Sequence, residues 1–246
     1  MALVDREGVA AHNRAQRQYF ERAPHRTLRP TGSRYLRRHV EVMCDFVGVG
    51  PGDRVLEVGC GMGRYTMLLA EGGVAVEGLD LSPRLLEQLA AANATGRAIP
   101  VHAHDMLDAP ASLHGAFDAV VGFFVLHHVH DLDACLGALA ALVRPGGRLG
   151  FLEPNPANPL YYVQIALTPE MSWPGERGML RMTPAAMFPP MAEAGLAELR
   201  FRRFGLFPPF VTNRRLGAGV ETALERARLP GPARPFHLFG GRRRPG

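Results

Sequence analysis

Residues 55–66 read VLEVGCGMGRYT, and they restrict the fold more tightly than any other stretch of the chain. A β-branched, apolar run (Val55, Leu56, Val58) leads into glycines at alternate positions, Gly59, Gly61 and Gly63, and a helix-compatible run follows. Strand, tight turn and helix in that order place bare backbone and a helix N-terminus at the end of a strand. A second apolar run, VAVEGLD, ends in Asp80, 21 positions after Gly59. A carboxylate there accepts both hydroxyls of a ribose, so an adenosine-containing cofactor is expected. A dinucleotide fingerprint has its third glycine five positions after the first, where this chain carries Arg64. Glu57, two residues before the first glycine, would repel a pyrophosphate and suits a ligand with positive charge.

Around this motif the chain alternates strands and helices. Helical spacing runs over 6–22 and from Ser33 to Val47, with Pro24 and Pro30 as breaks. On the second helix Tyr35, Leu36, Val40, Met43 and Phe46 form the inward face. Strands are expected at 54–58, 74–79, 98–103, 117–125 and from 148 to Glu153, with helices at 64–72, 83–93 and 131–143 between them. Ser82-Pro83 is an N-cap with proline at the first helical position. Strands apolar on both faces, alternating with helices, indicate a parallel sheet covered on both sides. The expected fold is therefore α/β, a doubly wound, Rossmann-like sheet with its ligand at the carboxyl ends of the strands. After Glu153 the texture changes. Residues 154–182 contain five prolines, the only tryptophan and two tyrosines, and read as an irregular lid insertion. A helix at 184–194, a sixth strand at 197–204, a second irregular segment at 205–217, a helix at 218–228 and a last strand near 235–242 complete the chain.

With Glu57, the glycines and Asp80 in register, residues 40–204 resemble the class I S-adenosylmethionine (SAM) dependent methyltransferases, in texture the UbiE-like and other small-molecule enzymes. The resemblance implies a seven-stranded, mostly parallel sheet whose seventh strand is antiparallel beside the sixth. It implies SAM as cofactor, with Gly59, Gly61 and Gly63 admitting its methionine part and Cys60 forming a wall. Glu57 would hold the aminoacyl end, Asp80 the ribose, Leu81 the adenine face, and Asp105 with Met106 the adenine edge. Phe123 would face the methyl-sulfonium. The N-terminal segment, 1–50, would close over the cofactor, with Tyr19 and Arg64 reaching its carboxylate. The remainder, 51–246, forms the SAM-binding domain.

Catalytic groups are less sharply marked. His127, His128 and His130 cluster after the fourth strand. An imidazole there is a general base, with His128 the first choice and His127 the second, or a packed side chain. No carboxylate stands at metal-ligand spacing, so no metal is expected. Glu153 either contacts substrate or fixes a neighbouring loop. The methyl acceptor is expected to be a small, apolar or aromatic molecule of bacterial quinone, lipid or secondary metabolism, methylated on oxygen, nitrogen or carbon. The alternatives are a catalytically silent SAM-binding protein and an NAD-dependent oxidoreductase.

Composition narrows the remaining classes. The 246 residues are 47% hydrophobic and 21% charged, as in ordinary globular proteins. No apolar run reaches the roughly 18 residues that span a bilayer, the first residues carry no apolar signal segment, and cytoplasm is the expected compartment. Three cysteines with no CxxC pair suggest neither a disulfide framework nor a zinc site. All 28 basic residues are arginine, which excludes lysine Schiff-base chemistry. Residues 1–40 carry net charge +6, residues 41–196 −9 and residues 197–246 +8. The basic ends leave an anionic substrate or peripheral membrane contact open. No nucleic-acid module is legible; a monomer or homodimer is expected.

Overall fold

The computed structural model describes residues 6–22, 29–169, 171–225 and 230–245. Two helices precede the sheet, α1 (Arg6–Arg22) and α2 (Arg34–Val47). Ser33 caps α2 by accepting the Leu36 N–H, and Gly48, at φ 78°, ends it. The sheet has seven strands: β1 (Arg54–Val58), β2 (Ala75–Asp80), β3 (Val101–Ala103), β4 (Phe117–Phe123), β5 (Val143–Pro154), β6 (Leu196–Phe204) and β7 (Phe236–Arg243). Their order is β3-β2-β1-β4-β5-β7-β6. All pairings are parallel except those of β7, which runs antiparallel to both β5 and β6. Helices α3 (Thr66–Glu71), α4 (Pro83–Ala92) and α5 (Leu132–Leu142) make the parallel crossovers. The chain reverses its winding between β1 and β4, and that switch point opens a crevice beyond their carboxyl ends.

Alternation along β1 separates the two cores. Leu56 and Val58 join β4 and α5 on one face, whereas Val55 joins α2 and α3 on the other. Glu57 shares the face of Val55, which brings it beneath α3. The seven-stranded expectation holds, including the antiparallel seventh strand. Several boundaries differ. The helix expected at 64–72 starts only at Thr66, because the glycine turn runs through residue 65. β5 begins at Val143 and absorbs the RPGG turn as a register shift, with Gly146 at φ 75°.

The expected irregular insertion contains two helices, α6 (Pro159–Leu167), capped by Asn158, and α7 (Trp173–Glu176), capped by Ser172. Their prolines sit in the first turn, where proline starts a helix rather than breaking it. Helix α8 (Pro184–Glu193) packs on α5, and α9 (Pro209–Thr212) and α10 (Arg215–Glu225) follow β6. Pro24 and residues 226–228 of the expected last helix lie outside the described residues. Among the described residues, no helix is long and apolar enough to cross a membrane.

Candidate functional site

A cavity of about 790 Å³ opens at the switch point. The glycine turn forms its floor, and the three glycines serve different needs. All have positive φ, 67° at Gly59, 52° at Gly61 and 83° at Gly63. A Cβ on Gly59 would stand 2.4 Å from Val125 Cγ2, and one on Gly63 2.7 Å from Leu89 Cγ, so both permit close packing. Gly63 does not line the cavity, a correction to the role expected of it; α4 packs against it instead. Gly61 does line the cavity, and a Cβ there would meet only Leu85 Cδ1, at 4.0 Å. Cys60 also forms wall, its thiol pKa pushed up by burial.

The carboxylates expected from sequence gather around this turn. Asp80 accepts the Gly61 N–H at 2.8 Å and the Ser82 N–H at 2.9 Å. It therefore braces the turn as well as facing the cavity. Burial raises its pKa above the usual carboxylate value despite those donors. Glu57 is 2% exposed and takes the Thr66 hydroxyl at 2.6 Å. Burial pushes its pKa up to about 8, so a cation brought beside it would favour its ionised form. Leu81, Asp105 and Met106 also line the cavity. Asp105 accepts the Leu107 N–H at 2.9 Å and the side-chain amide of Asn13. That second bond, with the 2.6 Å contact of His12 Nε2 to the His128 carbonyl, lays α1 across the cavity. Tyr19 lines the cavity from the same helix. Arg64 holds its guanidinium 5.8 Å from the Tyr65 ring centre, and Tyr65 stacks on Phe123 at 4.2 Å.

The loop after β4 is built on Glu153, which is fully buried. One oxygen accepts the N–H groups of Val125 and Leu126 at 3.1 and 2.8 Å; the other meets His127 Nδ1 at 2.6 Å. Of its two expected roles, the structure gives Glu153 that of loop brace. His127 Nε2 lies 3.3 Å from Glu176, which also accepts the Tyr161 hydroxyl at 2.7 Å. Burial opposes charge on His127, but the two carboxylates outweigh it and raise its pKa to about 9. His127 is thus a cation fixed between two anions rather than an available base. His128 goes the other way. Burial, then charged His127, lowers its pKa to about 3. Its Nδ1 lies 3.2 Å from the Gly175 carbonyl, which can only accept, so Nε2 keeps a lone pair. Ligand-capable atoms of His127, His128 and Glu176 fall within 4.8 Å of one another. A cation there would have to displace the proton that His127 shares with Glu176.

Sequence reasoning missed Glu176, Tyr161 and an aromatic group around His39. Glu176 and Tyr161 come from the insertion, where no local pattern marks them. His39 did carry a signal, since it stands four residues after Tyr35 and four before Met43, on the face read as apolar. It is 2% exposed, lines the cavity and meets Tyr65 Oη through Nδ1 at 3.0 Å. Burial lowers its pKa to about 3. Pro208 and Phe210 also line the cavity; their segment, 205–217, expected to be irregular, holds α9 and the start of α10.

The chain is similar to known proteins in sequence and in fold. A family model described as "Methyltransferase domain" matches residues 13–194. A ubiquinone biosynthesis O-methyltransferase of Xanthomonas campestris pv. campestris (strain B100) is 38% identical over 101 residues, 40% of this chain and 42% of that protein. A demethylmenaquinone methyltransferase of Tropheryma whipplei (strain Twist) is 36% identical over 113 residues, 45% of each. The match thus spans less than half the length of these curated relatives. Among solved structures, the [4+2]-cyclase SpnF superposes with a TM-score of 0.60 at 17% identity, covering 85% of this chain and 81% of that one, a likeness of fold. With well over half of its length matched by the family model, the chain belongs to the methyltransferase-domain family, the class I SAM-dependent methyltransferases.

Proposed function

We propose that the protein transfers a methyl group from SAM to a small, apolar or aromatic acceptor. The observation that carries this is one cavity whose lining is of two chemical kinds. Its lining combines Gly61 and the acids Glu57, Asp80 and Asp105 with rings, prolines and the histidine loop, so polar and apolar chemistry meet in one space. The residues fit SAM: Gly61 opens bare backbone onto the cavity, and Glu57 offers buried acid to a cation. Asp80 would hold the ribose, Leu81, Asp105 and Met106 the adenine, and Tyr19 and Arg64 the carboxylate. When bound, SAM supplies an activated methyl group. The chain's own task is to hold the acceptor close and exclude water. We assign lid roles to α1 and residues 154–182, from which Leu160, Tyr161, Val163 and Met171 reach the cavity. For a hydroxyl acceptor, the Nε2 lone pair of His128 orients the O–H and takes its proton as the oxygen–methyl bond forms. A weak base suffices at that moment, because methylation makes the proton far more acidic. The relatives named for quinone methylation favour an aromatic acceptor.

Calorimetric titration with SAM and its demethylated product, S-adenosylhomocysteine (SAH), tests the cofactor assignment, and mass shifts across phenols, amines and polyprenols test the acceptor assignment. Binding is expected at micromolar levels with turnover of at least one phenol. Binding without turnover across the panel would leave a SAM-binding protein, and no binding would remove the proposal. Asp80→Ala should weaken SAM at least about 10-fold, since hydrogen bonds to a charged group contribute about 1.5–3 kcal/mol each. An unchanged Kd would overturn the ribose assignment. His128→Ala should lower turnover about 100-fold with SAH affinity unchanged, as for loss of a positioned base. An equal rate would reduce His128 to packing.

A further inference from the structure

Beside the glycine turn part of the cavity wall is a lobe of rings about His39. Tyr35, with its ring centre at 4.4 Å, Phe236 at 4.9 Å and Phe124 at 5.8 Å line the cavity with it, and Phe204, which does not, lies at 5.5 Å. Phe124 holds φ at 56°, a left-handed conformation that a bulky residue adopts at a cost. Its N–H is fixed to the Leu152 carbonyl at 2.7 Å. Strain of this kind persists where surrounding structure enforces it, commonly at ligand sites. The protonation of His39 follows from its partner. Among the described residues the Tyr65 hydroxyl has no other hydrogen-bond acceptor than His39 Nδ1. A buried phenol donates where it can, so Nδ1 accepts and the neutral ring carries its proton on Nε2. That Nε2 is buried and has no hydrogen-bond partner among the described residues. An orphaned donor within aromatic walls costs stability, which a bound ligand's oxygen would recover.

We propose that His39 Nε2–H is the specificity contact for the methyl acceptor, and that the acceptor is a flat ring bearing a neutral carbonyl or hydroxyl oxygen. This rests on the methyltransferase reading of the cavity. The same donor could serve another oxygen, the carboxylate of the cofactor, because Arg64 lies near. A neutral oxygen suits the lobe better. One uncharged donor among rings satisfies a carbonyl, whereas it compensates poorly for desolvating a carboxylate.

The test uses SAH-loaded protein and two probes alike except for one oxygen, 1-tetralone and tetralin. Tetralone is expected to bind at least about 10-fold tighter, and the ratio to fall to about one in His39→Phe, with SAH affinity unchanged. In wild-type protein, tetralone should also shift the Nε2–H resonance of 15N-labelled His39, a readout that survives if the variant misfolds. Equal ratios in wild type and variant, an unmoved resonance, or no tetralone binding would each overturn the proposal. So would a variant that loses SAH affinity yet keeps that for 5′-methylthioadenosine, which lacks the aminoacyl end; the donor would then belong to the cofactor. Failure of the wild type to bind SAH at all would instead sink the methyltransferase reading.

Discussion

Gly61→Val is expected to abolish SAH binding and to leave a folded protein. The separation of these effects follows from where the new atoms go. A Cβ at Gly61 meets nothing closer than Leu85 Cδ1 at 4.0 Å, because the position opens on the cavity. The native φ of 52° is unfavourable for a β-branched residue, at a cost of about 1–3 kcal/mol, which a domain of ordinary stability survives. The two methyls then fill the space a cofactor needs beside the turn. Calorimetry should show no heat of binding up to about 1 mM SAH, with far-UV circular dichroism unchanged. Gly59→Val and Gly63→Val are the contrast. Their Cβ atoms would lie 2.4 Å from Val125 and 2.7 Å from Leu89, inside packed structure, so both should lose the cooperative fold. SAH binding by Gly61→Val within tenfold of wild type would show that the turn is not the cradle.

In the sequence these three glycines look alike, and that marks the limit of what spacing reveals. The periods of 2 and 3.6 placed the strands, the crossover helices and the crevice, because burial on both faces of a parallel sheet leaves a local pattern. Asp80 and Glu57 were legible because each ends or interrupts an apolar run. Gly63 was misread because its constraint, Leu89, comes from α4 and leaves no mark beside it. Glu176 and Tyr161 were invisible for a related reason, since Glu176 reaches His127, and Tyr161 reaches Glu176, only when the insertion folds back onto the loop after β4. His39 was passed over because a polar residue on an apolar face reads as an interruption. The part of the cavity proposed for the acceptor is thus built mainly by contacts distant in sequence. The fold does not supply the missing information, since a cyclase shares it.

The pair Glu153–His127 should give a large change in stability that depends on pH. His127 carries a pKa raised from 6.5 to about 9 in the folded state. Its contribution is fully present below the unfolded value of 6.5 and is lost as pH rises through 9. At one pKa unit per 1.36 kcal/mol, this loss is on the order of 3 kcal/mol. Glu57, kept protonated by burial up to about pH 8, adds a decline of the same sign, so the diagnostic quantity is the difference between wild type and a variant. Glu153→Gln removes the carboxylate that ties His127 to the Val125 and Leu126 N–H groups. Breaking a buried pair costs about 3–5 kcal/mol. Urea unfolding at pH 6 should show that cost in full. By pH 9.5 the gap should narrow, because the wild type has by then lost most of its own imidazolium. A gap that stays constant from pH 6 to 9.5 would mean that His127 is neutral throughout, and Glu153 would then act on the loop through the two backbone N–H groups alone.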